Sequence, residues 1–127
     1  MIRLILGILF ILPFANLPAL HAGESQFVVF IHSGPRDPDD PVVLQIARYL
    51  AQRGFIVREP DDAQDLYGGP GVDYFSDSAT RTAEDVAMFV SKLKLTIGNL
   101  PDEQKKRLEP RLQRINNPPT YLGVWLF

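Results

Sequence analysis

A strand, an amphipathic helix and a second strand follow one another in the first half of the chain, and this alternation constrains the fold most. Phe27–His32 is an apolar run of strand length, rich in β-branched and aromatic side chains. Apolar residues then recur at helical spacing over residues 42–51, which predicts one buried helical stripe ended by Gly54. Phe55–Glu59 is a second strand, ended by Pro60. A helix between two such strands predicts a β-α-β unit, whose strands are parallel if they are neighbours.

The second half of the chain continues this alternation with less regular elements. Val72–Phe75 is predicted as a short strand. A second helix follows, with Asp77 or Ser78 as its predicted N-cap. Its buried stripe runs through residues 79–93, and the helical pattern fades near Gly98.

The remaining residues complete one sheet. Residues 99–119 are interpreted as a short polar helical insert that Pro110 interrupts, and Tyr121–Phe127 is predicted as the last strand. The expected fold is therefore α/β (α+β): a single small domain with about four strands in one sheet, two main helices and the order β-α-β-β-α-β. The helical insert precedes the last strand.

Length and composition narrow the classes of function. A chain of 127 residues without internal repeats suits one domain. The absence of Cys excludes disulfides, thiolate metal sites and a Cys nucleophile. A net charge of −2 without a dense Lys/Arg face argues against a nucleic-acid partner. We expect no cofactor and no metal site.

Residues 1–22 have the three parts of a secretory signal peptide: a basic start, the apolar run Leu4–Phe14 and small residues around a cleavage point. We predict cleavage after Ala22, or else after Ala19, which leaves an exported domain of residues 23–127 that is periplasmic or secreted. The alternative is an uncleaved membrane anchor. The apolar run falls short of the roughly 20 residues that a spanning helix needs, so we expect no stable membrane insertion if cleavage occurs.

The polar turn after the first strand holds the first candidate site. His32, Arg36 and Asp37 are candidate binding residues there. A hydrolytic site would use His32 with Asp37 or Asp39, although the sequence offers no nucleophile to pair with this base. The structural interpretation is that Asp39 or Asp40 caps the helix and that prolines stiffen the turn.

The acidic, Gly/Pro-rich loop after the second strand holds a second candidate cluster. Tyr67 and Tyr74 are the candidate binding residues there, near Asp61, Asp62 and Asp65. Aromatic rings beside carboxylates suit stacking on a sugar or contact with a peptide, but an ordinary surface loop has the same composition.

Two features near the end of the chain are also interpreted. Lys105–Arg107, with Arg111 and Arg114, is the only basic patch of the sequence. It would contact anionic envelope polymers, or it is the solvated face of a helix. Trp125, on the last strand, is predicted to pack against the insert.

Three segments carry a resemblance to a known family. Residues 46–57 read IARYLAQRGFIV, residues 72–79 read VDYFSDSA, and residues 122–126 read LGVWL. On these motifs, residues 27–127 resemble the C-terminal domain of LytR-type envelope proteins, a small α/β module. The resemblance implies an accessory or interaction module of the cell envelope, with no catalytic residues to carry over.

The chain departs from that family at two places. His32-Ser-Gly34 stands where the family usually has Asn-Gly, and the insert at 99–119 has no counterpart. The start of the chain is also similar to α/β-hydrolases, but the G-x-S-x-G nucleophile motif is absent.

These observations predict a non-catalytic, exported binding or scaffolding module of the cell envelope. Its expected partner is a cell-wall polymer or an envelope protein. The alternative is a small exported hydrolase that uses His32 with Asp37 or Asp39. The sequence leaves the ligand and the oligomeric state open.

Overall fold

The computed structural model describes residues 26–63 and 68–127. In these residues five strands form one sheet: β1 (Val28–His32), β2 (Ile56–Val57), β3 (Gly71–Tyr74), β4 (Glu109–Leu112) and β5 (Tyr121–Trp125). Two α-helices accompany them, α1 (Pro41–Gln52) and α2 (Thr80–Thr96), with short 3₁₀ turns at Asp77–Ala79 and Asp102–Gln104. The predicted small α/β domain with two main helices is confirmed. The predicted signal peptide lies outside the described residues.

The strand order across the sheet is β2-β1-β5-β3-β4. Strand β1 runs parallel to β2 and to β5, and β3 runs parallel to β4. Only the pair of β3 and β5 is antiparallel. The sheet therefore consists of two β-α-β units, β1-α1-β2 and β3-α2-β4, and the last strand lies between them.

Helix α1 begins and ends as its sequence predicts. The Asp40 carboxylate accepts a hydrogen bond from the Val42 backbone N–H at 2.8 Å, so Asp40 rather than Asp39 is the N-cap. Pro41 occupies the first turn, where no backbone N–H is needed. Gly54 follows the helix with φ of +101°, a conformation that glycine adopts without strain.

The prediction of a helical insert at residues 99–119 was wrong. The segment contains one 3₁₀ turn and then β4, so the sheet has five strands rather than four. Pro110 does not interrupt a helix; it pairs with Val72 in an edge strand, where a missing N–H is tolerated on the unpaired side. Leu108 is buried just before β4, and its N–H donates to the Ser91 hydroxyl of α2 at 2.9 Å.

The predicted caps of the second helix were also wrong. Asp77–Ala79 forms a 3₁₀ turn, and the Ser76 hydroxyl accepts the Ser78 N–H there at 3.3 Å. Helix α2 begins only at Thr80, without a side-chain cap. The second strand is shorter than expected, because only Ile56 and Val57 pair with β1.

Both helices pack on the same face of the sheet. Val29 and Ile31 of β1 point into a core that also contains Leu122 and Val124 of β5. The helices contribute apolar side chains to the same core: Val43, Ile46, Leu50, Ala83, Val86 and Val90. The alternate strand residues point to the opposite face. We call it the open face, because none of the helices in the described ranges packs on it. None of the described helices has the length and hydropathy needed to cross a bilayer.

Lys94 is buried on the helix side and has no solvent-exposed surface. Its ammonium donates to the backbone carbonyls of Lys106 and Leu126, each at 2.6 Å, and lies 5.2 Å from the ring centroid of Phe127. Burial lowers the pKa of Lys94 from 10.5 to about 8. The side chain therefore joins the end of α2 to the segment before β4 and to the end of β5.

The lowered pKa of Lys94 predicts a pH-dependent stability. Unfolding takes up a proton between pH 8 and 10.5, so the folded state gains stability as the pH rises through this range. We expect the free energy of unfolding of the wild type, minus that of Lys94→Met, to rise there by up to about 3 kcal/mol. Urea unfolding at a series of pH values measures this difference. The exposed Lys106→Met is the control and should show no rise, whereas a flat difference for Lys94→Met contradicts the prediction.

Candidate functional site

A row of polar and aromatic side chains crosses the open face at the end of the central strands. His32 of β1 pairs in register with Trp125 of β5. Asp73 of β3 pairs with Gly123 on one side and with Arg111 of β4 on the other. Four adjacent strands therefore contribute to one continuous arrangement.

His32 is held by a carboxylate from the loop after β2. Its Nδ1 lies 2.7 Å from Asp61 Oδ1, and the same oxygen accepts the Ala63 N–H at 3.0 Å. The backbone of Asp61 also continues the sheet, since its N–H donates to Ile31 and its carbonyl accepts from Ser33. Backbone pairing thus orients the carboxylate, and the carboxylate orients the imidazole.

Trp125 connects His32 to the interior of the sheet face. The imidazole and indole rings are stacked, with centroids 3.9 Å apart and planes inclined by 28°. Indole Nε1 donates to Asp73 Oδ2 at 2.8 Å. A side chain at Gly123 would meet Trp125 Nε1, Asp73 Cβ and His32 Nε2 at 3.6 to 3.8 Å, so all three groups converge above this glycine.

Asp73 is the buried anchor of the row, with only 3% of its surface exposed. Besides the indole, its carboxylate accepts from Arg111 Nε at 2.8 Å and from Gln113 Nε2 at 3.2 Å. Arg111 Nη1 also donates to the Gly69 carbonyl at 3.1 Å. A buried carboxylate is stable only when its charge is compensated in this way. We call Asp61, His32, Trp125, Asp73 and Arg111 the sheet-face cluster.

Two aromatic rings extend the open face away from the sheet-face cluster. Phe30 and Tyr121 have ring centroids 4.9 Å apart at an interplanar angle of 58°. Ile56 of the neighbouring strand β2 pairs with Val28 and has 46% of its surface exposed. The open face therefore combines two aromatic pairs, an exposed aliphatic side chain and a hydrogen-bonded polar row.

The residues predicted to bind a ligand are not all brought together. His32 belongs to the sheet-face cluster, whereas Arg36 forms an ion pair with Asp40 at 3.1 Å and donates to Gln104. Asp37 is exposed, and its backbone carbonyl accepts the Asp40 N–H. Tyr74 packs against the core on the helix side of the sheet. Tyr67 lies outside the described residues.

The carboxylate partner of His32 is Asp61 and not Asp37 or Asp39. Asp39 instead lines a cleft of about 390 Å³ with Glu59 and three apolar residues. Among the described residues, no group of three His, Cys, Asp or Glu side chains is placed to hold a metal ion.

Sequence reasoning missed Asp73 and Gln113 and misplaced two other members of this region. Arg111 was assigned to a basic patch, but it forms an ion pair with the buried carboxylate of Asp73. Trp125 was expected to pack on the insert; it stacks on His32 and donates to Asp73, the carboxylate that also accepts from Arg111 and Gln113 of the insert. The available signal was an acidic residue inside the short strand Gly71–Tyr74, since a carboxylate there needs a partner.

The basic patch is not the face of a helix. Arg107 lies 3.6 Å from Glu109, and Lys105 lies 4.0 Å from Asp102, both in ion pairs near the surface. Arg114 is exposed beyond β4. These cations therefore form no single surface: Lys105 and Arg107 lie on the helix side, and Arg111 lies on the open face beside Asp73.

Comparisons of the chain with protein-family models, with curated proteins and with solved structures gave no match. The resemblance to the LytR C-terminal domain consequently stays a prediction.

Two glycines of this region provide a matched test of the Asp73 network. A methyl group at Gly71 would lie 2.5 Å from the guanidinium carbon of Arg111, so in Gly71→Ala the guanidinium has to shift, and we expect this shift to weaken its contact with Asp73. We expect this to cost about 1–3 kcal/mol in the free energy of unfolding, because a buried charge loses a partner. At Gly123 the contacts are ordinary, so Gly123→Ala should stay within about 1 kcal/mol of the wild type. Urea unfolding followed by circular dichroism measures both, and equal effects would contradict this account.

Proposed function

We propose that the protein is a non-catalytic binding module of the cell envelope, and that its ligand lies on the open face of the sheet. The observation that carries this proposal is the pair of aromatic contacts, His32–Trp125 and Phe30–Tyr121, on a sheet face without a helix over it. Rigid aromatic side chains contribute large contact areas at low entropic cost, which favours recognition.

Two carboxylates lie beside these rings, and they have different roles: Asp73 holds the protein's own side chains in place, and Asp61 is accessible to a ligand. Asp73 accepts three side-chain hydrogen bonds, so its carboxylate is already occupied by the protein. Asp61 is exposed at the margin of the rings and offers carboxylate oxygen to a hydroxyl or N–H group. A sugar of a cell-wall polymer or an extended peptide of an envelope protein carries such groups beside an apolar face.

Two features of the sequence support the envelope as the location. The predicted signal peptide, residues 1–22, would export the chain to the periplasm or the exterior. The resemblance to the LytR C-terminal module implies the same compartment. The motifs that carry the resemblance correspond to α1 with Gly54 and β2, to β3 with the following turn, and to β5.

Binding on the open face is tested with two exposed aliphatic residues of similar accessibility. Ile56 lies on the open face with 46% of its surface exposed, and Leu44 lies on α1 with 41% exposed. We expect Ile56→Glu to weaken co-sedimentation with purified cell-wall sacculi or envelope membranes about tenfold, through lost apolar contact and added charge. Leu44→Glu should bind like the wild type. Equal losses for both variants, or no sedimentation of the wild type with any envelope fraction, would contradict the proposal.

The only tryptophan of the chain gives a direct readout of the same site. Trp125 belongs to the sheet-face cluster, so a ligand on the open face changes its surroundings. Its emission should shift on titration with soluble cell-wall fragments for the wild type and for Leu44→Glu, and only at higher fragment concentration for Ile56→Glu.

The contact between His32 and Asp61 favours a second candidate, a small exported hydrolase. A carboxylate that orients Nδ1 is the arrangement a histidine general base uses, with Asp61 taking the role that the sequence assigned to Asp37 or Asp39. In this case the protein would cleave chromogenic ester, amide or glycoside substrates, and His32→Ala would abolish turnover. Asp61→Asn would lower the rate about 10²-fold or more, whereas Asp39→Asn would not. Absence of turnover above the uncatalysed rate rejects this candidate.

A further inference from the structure

A groove of about 660 Å³ lies on the helix side of the molecule, between α2 and the chain that enters β4. Its apolar lining includes Met88 and Leu95 of α2 together with Leu108 and Pro110. Met88 is 53% exposed and Leu95 is 66% exposed, so both project beyond the core that the rest of α2 covers. These two side chains therefore form the helix wall of the groove and lie outside the core.

The floor of this groove continues into the free edge of β4, the outermost strand on this side in the described sheet. The Gln113 N–H donates to Tyr74 at 2.8 Å, which directs the backbone groups of this residue towards β3. Because strand residues alternate, the N–H and carbonyl of Leu112 and the carbonyl of Pro110 point away from β3. A further strand placed there would have hydrogen-bond partners below and apolar side chains of α2 above.

We propose that this groove binds an extended peptide segment of another protein by strand addition to β4. Such binding uses backbone hydrogen bonds for affinity and side-chain pockets for selectivity. Every second residue of the added strand would face α2 and contact Met88 and Leu95, so the peptide carries apolar residues at alternate positions.

The charges of the groove define one end of the peptide. The N–H of Leu108 bonds to Ser91, so the start of β4 lies beside the last turns of α2. Lys92, Lys105 and Arg107 line this end of the groove together with Glu109. Arg107 lies 3.6 Å from Glu109 and Lys105 lies 4.0 Å from Asp102, so two of the three cations have a carboxylate neighbour within the protein. Glu84 precedes Lys92 by two helical turns, or about 12 Å along the axis, and lines the other end. The three cations outnumber the two carboxylates of Asp102 and Glu109, so the peptide carries a carboxylate at the end that lies beside Lys92.

A second copy of this chain is a poorer occupant than a foreign peptide. Pairing of two β4 strands would place Pro110 on both sides of the new ladder, and each proline lacks a donor. Proline on an edge strand is also a common device against self-association. A partner strand without proline loses a donor on one side only.

Selection from a displayed library of random decapeptides on the full-length protein tests this proposal. We expect enrichment of peptides with apolar residues at alternate positions and acidic residues at one end. Met88→Asp should reduce the affinity of an enriched peptide at least tenfold, and Lys92→Glu about fivefold. Leu112→Pro should reduce it as well, because it removes the outward N–H without touching the pairing with β3. In hydrogen exchange, the bound peptide should slow exchange of the Leu112 amide and leave α1 unchanged.

Three control variants outside the groove show whether a loss of peptide binding is specific to the groove. Lys106→Glu changes an exposed cation next to the groove, and Leu44→Asp changes an exposed aliphatic side chain of the other helix; both should bind like the wild type. Ile56→Glu should also bind these peptides normally, which separates this site from the proposed ligand site on the open face. No enrichment, or enrichment insensitive to Met88→Asp, overturns the proposal. A concentration-dependent dimer that Met88→Asp dissociates overturns it too, in favour of a second copy.

Discussion

The position of β5 between β1 and β3 is the constraint on which the rest of the structure depends. Each half of the chain forms a β-α-β unit, and β5 pairs with both units. Two side-chain contacts fasten it from opposite faces: Trp125 donates to Asp73 on the open face, and Lys94 donates to the Leu126 carbonyl on the helix side. Without β5, neither the sheet-face cluster nor a continuous core would form.

The same arrangement separates two surfaces of different character. On the open face, His32 and Asp73 come from different β-α-β units, and Trp125 of β5 links them by stacking on His32 and donating to Asp73. The groove beside α2 is formed entirely within the second unit and depends on the free edge of β4. A binding site on the open face therefore forms only when β5 joins the two units, whereas the groove beside α2 needs the second unit alone.

The sequence predicts local structure well where one physical signal dominates. Asp40, Pro41 and Gly54 define both ends of α1, because capping and positive φ depend on neighbouring residues. The strand β4 was not predicted, since Pro110 indicates a break both in a helix and in a strand, and only the sheet order shows that this strand is at the edge. The cluster was missed for a related reason. Asp73 and Arg111 are 38 residues apart, and Asp61 and His32 are 29 residues apart, so no local pattern brings them together.

The two buried charges also explain how a domain without disulfides can maintain a single register. A shift of β5 by one residue would turn Trp125 to the helix side and expose Leu122 and Val124 on the open face. It would also remove the indole donor from Asp73, and a buried carboxylate that loses a partner is more costly than a lost apolar contact. A shift would likewise move the Leu126 carbonyl away from Lys94, whose ammonium has no access to water. Apolar burial thus stabilises the sheet as a whole. Asp73 on the open face and Lys94 on the helix side make a shifted register of β5 unfavourable, because each would lose a hydrogen-bond partner.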